Sequence, residues 1–475
     1  MRASLIGGAL LTSACAAMFR APVSRGSAWI QVRTPHFALK TSLQPDQALE
    51  TAEYLERTRT AMLNAAWGGS KGPPGVTEVV VFARATEFAR FATAYSAGET
   101  RAVSGYEPTI VFSRNTRIGM ASIGAHELAH QLSSWYMPLQ PRWLAEGVAT
   151  FLETIRVDKQ TGIAYVGAPP AERVAELGAN EAFDTEQLFA AGSPGLDGVG
   201  QIPHFYAQSW VLLHYLIEEQ QAPFARFQRR LRDMTDWRSA FDWAMPEGLS
   251  PGPELNERLA RHWADRKNWP FVAAKPVVLE VFEPTVTRMS QANVHGLFAW
   301  LSLPDRDVAE REVNEALRLD PNELYALRTQ LYGLPTSADG RDAIARRALV
   351  AHPNDIEAWL MAIDALKSDA EARAAIQRAK QLDVNHPRLQ ARIGFAHLRA
   401  RNAKAALPHL SYALHRLIPN RALLAGYVEA LLANGRCIEA RQIAESTPPH
   451  FSELDIAKLR ERYAALKSEC VPSAP

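Results

Sequence analysis

A near-copy recurs 32 residues apart in the second half of the chain: ALRLDPN at 316–322 and ALVAHPN at 348–354. Weaker copies read AKQLDVN at 379–385 and ALHRLIPN at 413–420. A repeat of this length constrains the fold more than any other feature. One helix pair cannot bury its apolar face alone, so successive pairs must stack on one another. Pro321, Pro353 and Pro419 stand near the ends of three of these copies, and proline cannot continue a helix. The alanines let paired helices approach closely, and an N-G-R-x-x-E-A turn beginning at Asn434 joins two further helical halves. Residues 293–470 are therefore expected to be all-helical, with an irregular helical domain as the alternative to a regular array.

The first half reads differently. Residues 29–40 alternate around Pro35 and predict one or two short strands, and 77–83 and 109–113 predict two more. Helical periodicity predicts helices over 48–66 (Ala52, Leu55, Thr58, Met62 and Ala65 near one face), 87–95, 122–135 and 206–219. Pro141 opens another helix that runs to about Ile155, and 156–167 resembles a hairpin. Residues 192–201 are Gly-rich and read as a loop. Strands first and helices after give an α+β domain over 27–275. Residues 276–292 would connect it to the helical tail, and a cut near residue 285 is expected to leave a folded first half.

Lys plus Arg is 52 and Asp plus Glu is 51, so a net charge of +1 gives no footprint for nucleic acid. No apolar run reaches 18 residues, which excludes a polytopic membrane protein. Three cysteines cannot build a disulfide framework. Two of them, Cys437 and Cys470, could pair and staple the last repeat to the terminal helix if the protein is exported. The third lies in a leader-like segment over 1–26: Arg2, an apolar stretch over 3–11, then Thr12, Ser13 and Ala14 before Cys15. That pattern resembles a secretory signal with a bacterial lipobox, which implies export to the cell envelope or periplasm and a lipid anchor at Cys15. Cleavage near Ala16 or Ala17 is the rival reading.

His126-Glu127-Leu128-Ala129-His130 carries the chemistry. Residues i and i+4 share a helix face, so two imidazoles converge on one small ion. Glu127, one step round the helix, can reach a metal-bound water without being a ligand. A catalytic zinc needs a third protein ligand and an open position. The segment PRWLAEG at 141–147 follows, with Trp143, Leu144, Val148, Phe151 and Leu152 as a core face and Glu146 as the candidate third ligand. A surface glutamate is the alternative.

HELAHQ followed by WLAEG and FLE resembles the gluzincin metallopeptidases. The resemblance implies a zincin-like α+β catalytic domain, zinc on His126, His130 and Glu146, Glu127 as general base, and Glu153 supporting the site from behind. It also implies that Tyr206, in a segment that opens a helix, donates to the developing oxyanion; a packing tyrosine is the equal alternative. His204, His214 and His36 read as structural or solvated. The exopeptidase G-x-M-E-N strand of the aminopeptidase members is absent: the nearest string is SGYEP at 104–108. The repeats resemble the tetratricopeptide family, and the whole layout resembles peptidase-MA-like bacterial proteins. The expectation is a gluzincin-type zinc peptidase acting on a peptide or protein substrate, followed by an all-α tetratricopeptide-repeat solenoid open to a protein partner. The alternative is a binding or assembly module whose peptidase half is vestigial or serves a single client.

Overall fold

The computed structural model describes residues 28–470 apart from 93–97, 102, 115–118, 159, 179–180, 191–200, 270–271, 274–277, 279–280, 367 and 446–452. The leader with Cys15 and nearly all of the Gly-rich stretch lie outside the described residues.

Six strands form the main sheet. β1 (Ile30–Arg33) and β2 (Phe37–Thr41) pair antiparallel around Pro35, as the alternation implies. The helix α1 (Pro45–Trp67) follows and turns off at Gly68, whose φ of 63° suits glycine. β3 (Thr77–Phe82) then runs parallel to β2. Next comes α2 (Ala85–Phe88), shorter than the helix predicted over 87–95. The edge strand β4 (Gly98–Arg101) pairs antiparallel with β5 (Thr109–Ser113), which is parallel to β3.

α3 (Met120–Tyr136) carries the H-E-x-x-H segment and stops before Pro138. α4 (Arg142–Leu152) starts one residue after Pro141, which caps it instead of standing in its first turn. A hairpin of β6 (Arg156–Val157) and β7 (Ala164–Val166) occupies the predicted place. Beyond it lie the short helices α5 (Ala171–Glu176) and α6 (Thr185–Ala190). α7 (Gln201–Glu219) begins five residues before Tyr206, so that residue sits in the second turn. α8 (Gln221–Arg232), α9 (Trp237–Ala244) and α10 (Pro253–Ala264) complete the helical layer. β8 (Val272–Ala273) pairs with β7, and β9 (Thr285–Arg288) pairs with β1. The main sheet thus runs β4-β5-β3-β2-β1-β9.

Both faces of the central strands are covered. Val79, Val81, Ile110 and Phe112 point into the core beneath α1, α3, α4 and α7. Val80, Phe82 and Val111 point the other way. There they meet Val294, Leu297, Phe298 and Leu301 of α11 (Gln291–Leu301), with Trp29, Phe88 and Phe91 filling the layer. This follows from period-2 side chains in strands that are apolar at every step. It corrects the expected division of the chain. The segment 276–292 is not merely a connection: it supplies β9 to the sheet, and the first helix of the tail shares a core with the strands.

The rest of the tail is α12 (Arg306–Leu319), α13 (Leu324–Gly333), α14 (Arg341–Ala351), α15 (Ile356–Ala365), α16 (Asp369–Asp383), α17 (Pro387–Arg399), α18 (Ala403–Leu414), α19 (Arg421–Ala433), α20 (Cys437–Glu445) and α21 (Glu453–Leu466). Each repeat copy ends the second helix of one pair, at Leu319, Ala351, Asp383 and Leu414. Side-chain caps at Asp305, Asp355, Asn402 and Asn420 then start helices after the turns, satisfying first-turn N–H groups. Cys437 and Cys470 are bridged, with Cα atoms 6.0 Å apart, and fasten α20 to the end of α21. No helix among the described residues is long and apolar enough to cross a membrane.

Candidate metal centre

α3 and α4 pack against each other beneath the β4–β5 edge of the sheet. Both are short-range products of their sequences: an apolar helix stopped by Pro138, then a Pro-capped helix whose Trp143 and Leu144 are buried. The crossing brings His126 and His130 of α3 to Glu146 of α4. Their nearest atoms form a triangle. His126 Nε2 is 3.2 Å from His130 Nε2, and Glu146 Oε2 lies 3.5 and 3.4 Å from the two nitrogens. Four ligands held tetrahedrally at about 2.0–2.1 Å would stand about 3.3–3.4 Å apart. The three donors therefore outline one face of such a tetrahedron, with its fourth corner left to a non-protein ligand.

Two further observations fit a cation there. Glu146 Oε2 is buried with no hydrogen-bond donor aligned on it, a costly arrangement for a carboxylate unless a positive charge stands beside it. Burial alone would lower the pKa of His126, yet the Glu146 and Glu153 carboxylates outweigh it and push the imidazolium up to about 10. Burial likewise opposes ionisation of Glu146, but the two histidines hold its pKa well below the usual carboxylate range. The buried cluster is thus organised to retain positive charge, and the residues present could hold a metal ion.

Glu153, the residue capping α4, fixes His126 from behind. His126 Nδ1 donates to Glu153 Oε2 at 2.8 Å, which fixes the ring with Nε2 toward the triangle, where a metal ion would take the place of the Nε2 proton. Arg173 of α5 braces the same carboxylate at 3.4 Å. Its guanidinium also lies 5.2 Å from the Tyr206 ring centroid. Tyr206 stands beside the three donors, its ring centroid 6.0 Å from that of His126. The charge of Glu146, then burial, raises its phenol pKa, so the hydroxyl keeps its proton. No described residue hydrogen-bonds to that hydroxyl.

Glu127 faces the opposite wall. Thr100 Oγ1 of β4 donates to Glu127 Oε2 at 2.8 Å. The strand comes this close because residue 98 is glycine: a Cβ there would stand 2.3 Å from Ile123 Cγ2 and 3.5 Å from Glu127 Cγ. Gly147, beside Glu146, serves the same end on α4, where a Cβ would meet the Ser209 carbonyl of α7 at 2.8 Å.

The structure therefore gathers His126, Glu127, His130, Glu146, Glu153 and Tyr206 in one place. It sets the other histidines apart. His36 pairs with Glu56 at 2.7 Å, and His204 with Glu181 at 3.0 Å. His214 is buried against His262, 3.0 Å between ring nitrogens, and burial lowers it to about 3. Thr100 and Arg173 belong to the site but were not singled out by sequence. Neither carries a spacing signal, since each arrives from an element that tertiary pairing brings in.

Residues 120–235 match the family described as a protein of unknown function (DUF1570), a peptidase-like family. The match runs from the first residue of α3 to just beyond α8. It takes in all the site residues except Thr100 and covers about a quarter of the chain. No curated protein matches the chain.

Proposed function

We propose that the chain is a zinc-dependent peptidase of the gluzincin type. The observation that carries this reading is the three-donor triangle, with the carboxylate of Glu127 on the neighbouring position of the same helix and that of Glu153 orienting His126. Nitrogen and carboxylate donors at tetrahedral spacing suit Zn²⁺, and three protein ligands with one open position are the catalytic arrangement, not the closed structural one. Zinc bound there supplies Lewis acidity that lowers the pKa of a water and polarises a carbonyl.

The chain's own residues do the rest. Glu127, held by Thr100, takes the proton of the attacking water and returns it to the leaving amine. Glu153 and Arg173 hold the His126 ring in one orientation. Tyr206 offers its proton to the oxygen on which negative charge develops. The substrate is a peptide or protein. The helical tail is read as tetratricopeptide-like on its repeat spacing and helix pairing. Export, with acylation at Cys15 and a place in the bacterial cell envelope, rests on the leader sequence and is supported by the Cys437–Cys470 bridge, since such bonds persist in oxidising compartments.

The test is metal content by mass spectrometry together with cleavage of an unstructured protein. Wild type should carry one zinc per chain and cleave. His126→Ala, His130→Ala and Glu146→Ala should each lose metal and activity together. Full zinc occupancy in Glu146→Ala would show that the gluzincin ligand set is wrong.

Tyr206→Phe removes one hydroxyl and keeps the ring that packs beside His126. Its kcat should fall about 10²-fold, with KM and zinc content little changed, as for loss of one preorganised oxyanion donor. Turnover within a few-fold of wild type would leave Tyr206 as a packing residue only.

A further inference from the structure

Six residues between β4 and β5, 103–108, include the SGYEP string, and they lie inside the helical tail. The Tyr106 ring is 4.7 Å from Trp300 of α11 and 5.7 Å from Tyr332 of α13, centroid to centroid. The Arg388 guanidinium of α17 covers it at 4.1 Å. Glu107 is 3.5 Å from His386, the residue capping α17. Gly105 N donates to the Ile418 carbonyl at 2.8 Å, and Ile418 N to the Tyr106 carbonyl at 2.9 Å, between α18 and α19. Gly105 is at φ +84°, and a Cβ there would press on Asn420 at 2.7 Å. The clamp residues are themselves fixed: Arg388 Nη1 donates to Glu357 of α15 at 2.7 Å, and Arg328 stacks on Trp300 at 3.8 Å.

One short loop touches residues from Trp300 to Asn420, which is possible only where the helix array curves around it. The loop is also continuous with β4, whose Thr100 donates to Glu127. On the opposite end of the site, His415 Nδ1 donates to the Trp135 carbonyl at the end of α3, at 2.7 Å. The tail therefore grips both elements that meet at Glu127.

We propose that the helical tail is a built-in clamp for the catalytic half: its curved face seats loop 103–108, fixes β4, and so holds Thr100 on Glu127, with Tyr106 as a positioning residue. This rests on the peptidase reading for its kinetic arm only. Disorder of β4 would let the Glu127 carboxylate turn away from the water while leaving the metal ligands in place.

The experiment uses the full chain with zinc bound. Tyr106→Ala should lower kcat about tenfold or more, the scale expected when a reacting group is misplaced by a fraction of an ångström, with KM and zinc content unchanged. Tyr106→Phe keeps the ring between Trp300 and Arg388 and should restore wild-type turnover. Amides of 98–101 should exchange with deuterium at least about tenfold faster in Tyr106→Ala. Thr100→Val should lower kcat too, and combining it with Tyr106→Ala should add little, because both act through one hydrogen bond. If Tyr106→Ala does not fold, Glu107→Gln, which only weakens the His386 contact, should show the same pattern at smaller size. Unchanged exchange at β4, or fully additive kinetic losses, would overturn the clamp. Should wild type cleave nothing, the peptidase reading fails on its own, and the exchange measurement still decides whether the tail holds β4.

Discussion

Glutamine in place of Glu127 should leave zinc at full occupancy and remove about 10²–10⁴-fold of the hydrolysis rate, the span usual for a positioned general base. The amide matches the carboxylate in shape, and its carbonyl can still accept from Thr100 Oγ1, so β4 and α3 have no reason to move. What it cannot do is accept a proton from water. Glu127 is not one of the three converging donors, so metal content and rate should part company here, whereas they should fall together at His126, His130 and Glu146. The measurement is a single-turnover cleavage assay beside metal analysis on the same sample. Turnover within a few-fold of wild type would mean that another group takes the proton. Loss of zinc would mean that Glu127 is a ligand.

That separation was legible in the sequence because it depends on helix geometry alone. His126 and His130 face one way at i and i+4 wherever the helix is placed, and Glu127 stands at their edge. Glu146 was legible in its WLAEG context, and Glu153 only through the resemblance of WLAEG and FLE to the gluzincin pattern, seven residues further on. Thr100 was not. The tetrapeptide Gly-Glu-Thr-Arg of β4 carries no apolar alternation, and it is a strand only because β5 pairs with it. The loop after it looked like a failed exopeptidase motif, while its actual partners, from Trp300 to Asn420, lie far along the chain and leave no periodic trace. The Thr77–Phe82 strand did hold an unread signal. Three valines and a phenylalanine in succession mean that both faces are covered. Sequence alone does not say what covers the second face, and the repeat pattern assigned the true cover, α11, to a separate array.

That shared face reverses the expected outcome of removing the tail. Cutting at residue 285 takes away β9 and α11, and with them the cover over Val80, Phe82, Phe88, Phe91, Val111 and Trp29. Each large apolar side chain returned to water costs about 1.5–3 kcal/mol, so six together approach on the order of 10 kcal/mol, comparable to the whole stability of a typical domain. The cut also strips Tyr325 from the buried Lys40–Glu78 pair, and removes the helices that seal Leu139 and Met234. The isolated first half should therefore be insoluble or molten and bind no zinc, although it retains His126, His130 and Glu146. The checks are expression of 28–284, near-ultraviolet circular dichroism and metal analysis. A second cut after α11 and α12, near residue 320, separates the effects, because it keeps the sheet covered while removing Tyr332, Arg388 and Ile418 from loop 103–108. That longer fragment should recover more structure than the shorter one, while its β4 amides exchange freely. A soluble, zinc-loaded 28–284 fragment melting close to the full chain would show that the sheet needs no cover from α11, and the two halves would then be independent units after all.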